Sequence, residues 1–214
     1  MPRRITRAMG PLVLVFTLVW WGAGCGSGDD GAADGAADRG YVGGDRGAPR
    51  VAIAGDSITE LARAAILGAL SDRYRVRIDA FSTRSIAEVT PAIEEAAATR
   101  PDVVVVHLGT NDMDRDNPRW RADLDRALAL VATVPCVEVF TIHDGRHPPA
   151  GANVGTEINA RLAELEEAGR VHVVDWNAAV HRDPDLVVAD GIHPGVVGQR
   201  WIARAVRDRI RADC

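Results

Sequence analysis

Four polar residues, Ser57, Asn111, Asp190 and His193, lie in three short blocks whose chemistry suits acyl transfer. Gly55-Asp56-Ser57-Ile58-Thr59 carries a hydroxyl, and Asp190-Gly191-Ile192-His193-Pro194 carries an acid three residues ahead of a histidine. A serine hydroxyl is a poor nucleophile until an imidazole takes its proton and a carboxylate orients that imidazole. Gly109-Thr110-Asn111-Asp112 adds a side-chain amide that can donate to a developing oxyanion. Each block alone has an ordinary reading. Ser57 and Asp190 would be caps, Asn111 and Asp112 turn residues, and His193 a surface histidine before proline. No G-x-S-x-G elbow surrounds Ser57, so the α/β-hydrolase fold is not the one indicated.

These blocks need a scaffold that brings them together, and the pattern of the chain supplies one. Apolar runs at 51–54, 76–81, 103–106, 137–142 and 171–174 read as strands. Helical patterns occupy 58–70, 86–99, 119–131, 155–167 and 194–211. Val103-Val104-Val105-Val106 is a continuous β-branched run, as expected of a strand buried on both faces of a parallel sheet. Five strands alternating with helices imply an α/β domain with a parallel sheet covered on both sides. Sites in such sheets lie beyond the carboxyl ends of the strands, where the three blocks fall.

Taken together, the blocks and their order resemble the SGNH (GDSL-type) hydrolase family across 50–214. The resemblance implies a flavodoxin-like three-layer α/β/α sandwich with a five-stranded parallel sheet. It makes Ser57 the nucleophile, His193 the general base and Asp190 its orienting acid. The oxyanion hole would be formed by the Ser57 N–H, the Asn111 amide and the N–H of a family glycine. The chain departs from the pattern at that last position, where Thr83 stands in Phe81-Ser82-Thr83-Arg84-Ser85. An N–H survives this replacement, but glycine's conformational freedom does not. Asp56, Arg84, Asp112 and His143 are candidate substrate contacts around this centre. The implied activity is ester hydrolysis without a cofactor, on short acyl groups of carbohydrate or small esters. Lysophospholipid or thioester hydrolysis is the alternative, and a weakly catalytic glycan-binding surface lipoprotein is the reading from a different class.

The remaining histidines and the cysteines have plainer readings. His143-Asp144-Gly145-Arg146-His147 is a polar loop after the fourth strand, either solvated or lining the pocket. A metal site from His143, Asp144 and His147 lacks a fourth ligand, so no metal is expected. His107 ends an apolar strand and should be packed or hydrogen-bonded. His172 in strand five and His181 in the following loop show no ligand set. Cys136 and Cys214 form an even pair once Cys25 is set aside, and a disulfide between them suits an exported protein.

The N-terminus reads as an address. Arg3, Arg4 and Arg7 precede the apolar run from Pro11 to Trp21, then Gly22-Ala23-Gly24 and Cys25. This resembles the lipobox of bacterial lipoproteins, with Gly22 where leucine is usual, and implies lipidation at Cys25. A plain signal peptide or an uncleaved anchor remain alternatives. The expected organisation is a signal over 1–24, a Gly/Ala/Asp-rich tether over 25–48 and the domain over 49–214, in an exported, membrane-anchored or secreted protein. The 214-residue chain has a net charge of −5, which argues against a nucleic-acid partner. All 25 basic residues are arginine, and the lack of lysine excludes Schiff-base chemistry and a Walker P-loop.

Overall fold

The computed structural model describes residues 40–145 and 153–214. Its apolar runs become strands β1 (Arg50–Gly55), β2 (Arg75–Ala80), β3 (Val103–His107), β4 (Cys136–Phe140) and β5 (His172–Val174). The helices are α1 (Ser57–Leu70), α2 (Ile86–Ala98), α3 (Thr110–Asp114), α4 (Trp120–Ala129), α5 (Val154–Glu167), α6 (Trp176–Arg182) and α7 (Val196–Asp213). All strand pairs are parallel, in the order β2-β1-β3-β4-β5. This is the flavodoxin-like order, and it reverses direction between β1 and β3.

Alternation along the buried strands divides the core into two layers. Ala52, Ala54, Val104, Val106, Val137 and Val139 face the side covered by α2, α4 and α5. Val51, Ile53, Val103, Val105, Cys136 and Phe140 face α1, α6 and α7. The three central strands therefore show almost no polar residue, because neither face meets water. Small side chains in β1 let α2 approach closely, while Ile58, Ala62, Ile66 and Leu70 give α1 its apolar stripe.

Two features differ from the sequence reading. Two short helices, α3 and α6, replace expected loops, so His181 is helical. A domain boundary at 48/49 falls inside packed chain: Tyr41 is buried with its hydroxyl 2.7 Å from Thr99 Oγ1, and Val42 forms an antiparallel bridge to Val76. The Tyr41 ring holds this segment to the end of α2 and Val42 pairs it with the edge of β2, contrary to a free tether there. The signal segment, Cys25 and the rest of the tether lie outside the described residues. Cys136 and Cys214 are joined as a disulfide, with Cα atoms 5.7 Å apart, which fastens the end of α7 to β4. No helix among the described residues is long and apolar enough to cross a membrane.

Candidate active site

Where the strand order reverses, the ends of β1 and β3 diverge and leave room for a site. Ser57 is the first residue of α1 there, and its amide is among those a helix start leaves without an internal partner. Asp56 caps this helix, its Oδ1 accepting from Ile58 N–H at 3.0 Å. The Asp56 carboxyl is fully buried, with the Thr110 hydroxyl beside it. Burial pushes it up to about 7, against the lowering effect of the Ile58 amide and the Thr110 hydroxyl. Asp56 therefore supports the start of α1 from below and is closed to substrate, unlike the contact expected of it.

His193 comes from the far end of the chain. An antiparallel bridge between Val187 and Pro194 and the bond Val188 N–H to His193 O (2.8 Å) fold residues 187–194 into a tight loop. Within it, Asp190 Oδ1 accepts from the amides of Ile192 (2.8 Å) and His193 (3.0 Å), and Oδ2 lies 2.7 Å from His193 Nδ1. One oxygen shapes the turn while the other fixes the ring. His193 Nε2 then lies 3.0 Å from Ser57 Oγ. Partial burial raises the Asp190 carboxyl, but the His193 amide, the imidazole and the Ile192 amide outweigh it and hold the group at about 2. Asp190 stays ionised wherever the imidazole works. The Ser57, His193 and Asp190 spacings are those of a proton relay from hydroxyl to imidazole.

Donors approach from β2 and β3. Gly109 caps α3 with φ +113°, a left-handed turn beneath Ile142 that a side chain would obstruct. That turn brings Asn111 across to donate from Nδ2 to Arg84 O at 2.9 Å, leaving its second N–H uncommitted to that carbonyl. Thr83 adopts φ +67°, a left-handed backbone that favours glycine, despite its β-branched side chain. Its loop is held on three sides. Arg115 Nη2 donates to Thr83 O (2.7 Å), Asn111 to Arg84 O, and Arg84 pairs with Asp79 at 2.8 Å. Arg84 also stacks 4.5 Å over the exposed Phe81 ring, so it forms a half-buried rim. Asp112 is fully buried, accepting from Ile86 N–H (2.8 Å) and Asn117 Nδ2 (2.7 Å). Burial raises its carboxyl. Asp112 ties α3 to α2 and does not reach substrate, a correction to its expected role.

Residues 53–201 match the GDSL-like Lipase/Acylhydrolase family. The chain belongs to that family. An acetylxylan esterase of Xylanibacter ruminicola is 27% identical over 206 residues, an alignment covering 76% of this chain and 43% of the relative. The chain thus spans less than half the length of that curated relative. Among solved structures, a lipase/acylhydrolase from Enterococcus faecalis superposes with a TM-score of 0.63 at 19% identity, over 77% of this chain and 96% of that one. A family 3 carbohydrate esterase of Clostridium thermocellum gives 0.61 at 18% identity, over 77% and 96%. These structures share the fold of the GDSL-like chain described here.

Other residues of this GDSL-like domain were not legible as a group. His107 is buried with no hydrogen bond from its ring among the described residues, stacked 4.6 Å from Phe140, so it is packed; burial lowers it to about 3. His143 and Asp144 meet His181 of α6, with His181 Nε2 3.0 Å from Asp144 Oδ1. His147 lies outside the described residues. No local spacing joins His181 to this cluster, because it lies 37 residues from Asp144, on the short helix α6. Arg115 was also missed: one arginine on a polar turn carries no pattern.

Proposed function

We propose that this chain is a serine ester hydrolase that removes short acyl groups, with carbohydrate esters as the preferred class. The observation that carries the reading is the continuous Asp190–His193–Ser57 contact, at 2.7 and 3.0 Å. His193 Nε2 accepts the Ser57 proton as Oγ attacks the ester carbonyl. The resulting oxyanion is met by the N–H groups of Ser57 and Thr83 and the second N–H of Asn111. His193 returns its proton to the leaving alcohol, and the acyl-serine forms. Water then attacks the acyl-serine with His193 as base again, releasing the acid and free Ser57. The ionised Asp190 stabilises the imidazolium at each transfer. The acetylxylan esterase relative supports the acyl and sugar class, and the basic, apolar and cysteine segments at 3–25 support export with a lipid at Cys25.

Ser57→Ala should lower hydrolysis of p-nitrophenyl acetate by at least about 10³-fold while the fold is retained. It should also abolish labelling by a fluorophosphonate probe. Near-wild-type turnover by Ser57→Ala rejects the mechanism. Incorporation of labelled palmitate that Cys25→Ala removes would support the anchor.

A second reading, hydrolysis of longer acyl chains, is favoured by one observation. Leu61, Val188, Val196 and Val197 are exposed apolar side chains one turn or less in sequence from Ser57, Asp190 or His193. Comparing p-nitrophenyl acetate, butyrate and laurate decides between the two. Highest kcat/KM on acetate supports the short-acyl reading, and highest on laurate overturns it.

A further inference from the structure

Beyond the hydrolytic centre, a second cluster of chemically competent side chains stands at the same carboxyl edge of the sheet, past the end of β4. Its members are His143 and Asp144, in the loop after β4, and His181, on α6. One ligand-type atom from each lies within 4.8 Å of the others. We propose that His143, Asp144 and His181 form a three-ligand site for a divalent transition-metal ion of the zinc class.

The arrangement is already close to coordination geometry. At metal–ligand distances of about 2.0–2.1 Å, tetrahedral ligand atoms stand about 3.3 Å apart. Asp144 Oδ1 and His181 Nε2 are 3.0 Å apart. The His143 nitrogen, at up to 4.8 Å, needs a shift of about 1.5 Å, within reach of a side-chain rotation. The two imidazoles meet edge to face with centroids 5.1 Å apart. Gly145 closes over both rings. A Cβ on it would lie 2.7 Å from His143 Cε1, 3.0 Å from His143 Nε2 and 3.2 Å from His181 Cε1. A side chain at this position would press on both ring edges.

The surroundings are those of a ligand set. His143 Nδ1 is shut off from solvent, with Asn177 as its neighbouring polar side chain. Asn177 borders that ring, and its Oδ1 accepts from Asp144 N–H at 3.1 Å. Thr156 Oγ1 lies 3.3 Å from Asp144 Oδ2. An outer layer of this kind fixes imidazole and carboxylate ligands in place. Two imidazoles with one carboxylate favour zinc, cobalt or nickel over calcium or magnesium, which require oxygen ligands. Three protein ligands leave a coordination position for water or a substrate hydroxyl. The ion would tie the loop after β4 to α6, stiffening one wall at this edge of the domain.

Calorimetric titration of the chelator-treated, dialysed full chain with ZnCl₂ tests this. The expected result is one site per chain with micromolar or tighter affinity. His181→Ala and Asp144→Asn should each weaken it by at least about tenfold. His193→Ala should leave it unchanged, which separates this cluster from the His193–Asp190 pair. Co²⁺ should show a visible band of tetrahedral intensity that His181→Ala removes. His181 is exposed, so its loss leaves the fold intact, as the thermal midpoint would verify. Failure of the wild type to bind, or loss of binding in His193→Ala but not His181→Ala, overturns the site and leaves Asp144–His181 as a hydrogen-bonded pair.

Discussion

Thr83 and Asp190 show how single positions set this centre. A β-branched residue at φ +67° carries a steric cost of about 1 kcal/mol or more, normally avoided by glycine. Thr83→Gly removes that cost but adds unfolded-chain entropy worth about 0.5–1 kcal/mol. Stability should therefore stay within about 1 kcal/mol of wild type by urea denaturation. Because the backbone N–H is unchanged, kcat on p-nitrophenyl acetate should stay within about twofold. A large loss of activity would mean that the Thr83 hydroxyl or methyl takes part. Asp190 behaves oppositely, because its two oxygens do different work. Asp190→Asn keeps an acceptor for the Ile192 and His193 amides but cannot stabilise the imidazolium, so kcat should fall by about 10³–10⁴-fold with little change in KM. Loss confined to KM would place Asp190 outside the relay.

At the scale of elements, the loop between β2 and α2 is clamped rather than intrinsically ordered. Arg115, in the turn after α3, spans from Thr83 O to Glu88 Oε2, at 2.7 and 3.1 Å. Its salt bridge is solvent-exposed and contributes less than about 1 kcal/mol to folding. Arg115→Ala should therefore leave the urea midpoint nearly unchanged yet lower kcat by about tenfold, because the Thr83 N–H loses its aim. Arg115→Lys should recover part of that. Equal losses of stability and activity would instead make Arg115 a general support. This clamp also marks how far the sequence could be read. The strands and five long helices were legible because burial on both faces demands continuous β-branched runs and α1 demands a 3.6-residue stripe. The blocks around Ser57 and Asn111 were legible because each follows a strand end, and Asp190–His193 because an acid precedes a histidine just ahead of the last helix. The five-residue α3 and seven-residue α6 are too short for periodicity to register. Tyr41, Arg115 and His181 act through long-range contacts that no local spacing encodes, and Thr83's backbone is imposed by the clamp, against its own preference.

For the whole molecule, the last helix is secured to the sheet twice, by the Cys136–Cys214 disulfide and by Glu138 one residue pair along β4. A cross-link spanning 78 residues restricts the unfolded chain by about 4 kcal/mol on a chain-entropy basis. Cys136→Ser with Cys214→Ser should lower the unfolding free energy by about 2–4 kcal/mol, read from denaturant curves. Glu138 acts differently, since it is buried with Arg209 Nε at 3.9 Å and no hydrogen bond to Oε2 among the described residues. Burial pushes its carboxyl up to about 7; Arg209 pulls it down, while Asp213 and Glu166 push it up. A carboxyl raised on folding binds its proton more tightly in the native state. Its favourable contribution is complete below about pH 4 and is lost as pH rises to about 7. Asp56, also near 7, acts in the same direction, whereas buried His107, near 3, makes stability rise between about 3 and 6.5. The wild-type curve mixes these opposing effects, but a difference curve isolates one of them. Glu138→Gln should gain on wild type by on the order of 2 kcal/mol between pH 4.5 and 7.5, or about 4–8 °C in thermal midpoint. Parallel melting curves across that range would mean that Glu138 is ionised throughout, with Arg209 sufficient to hold its charge inside the protein.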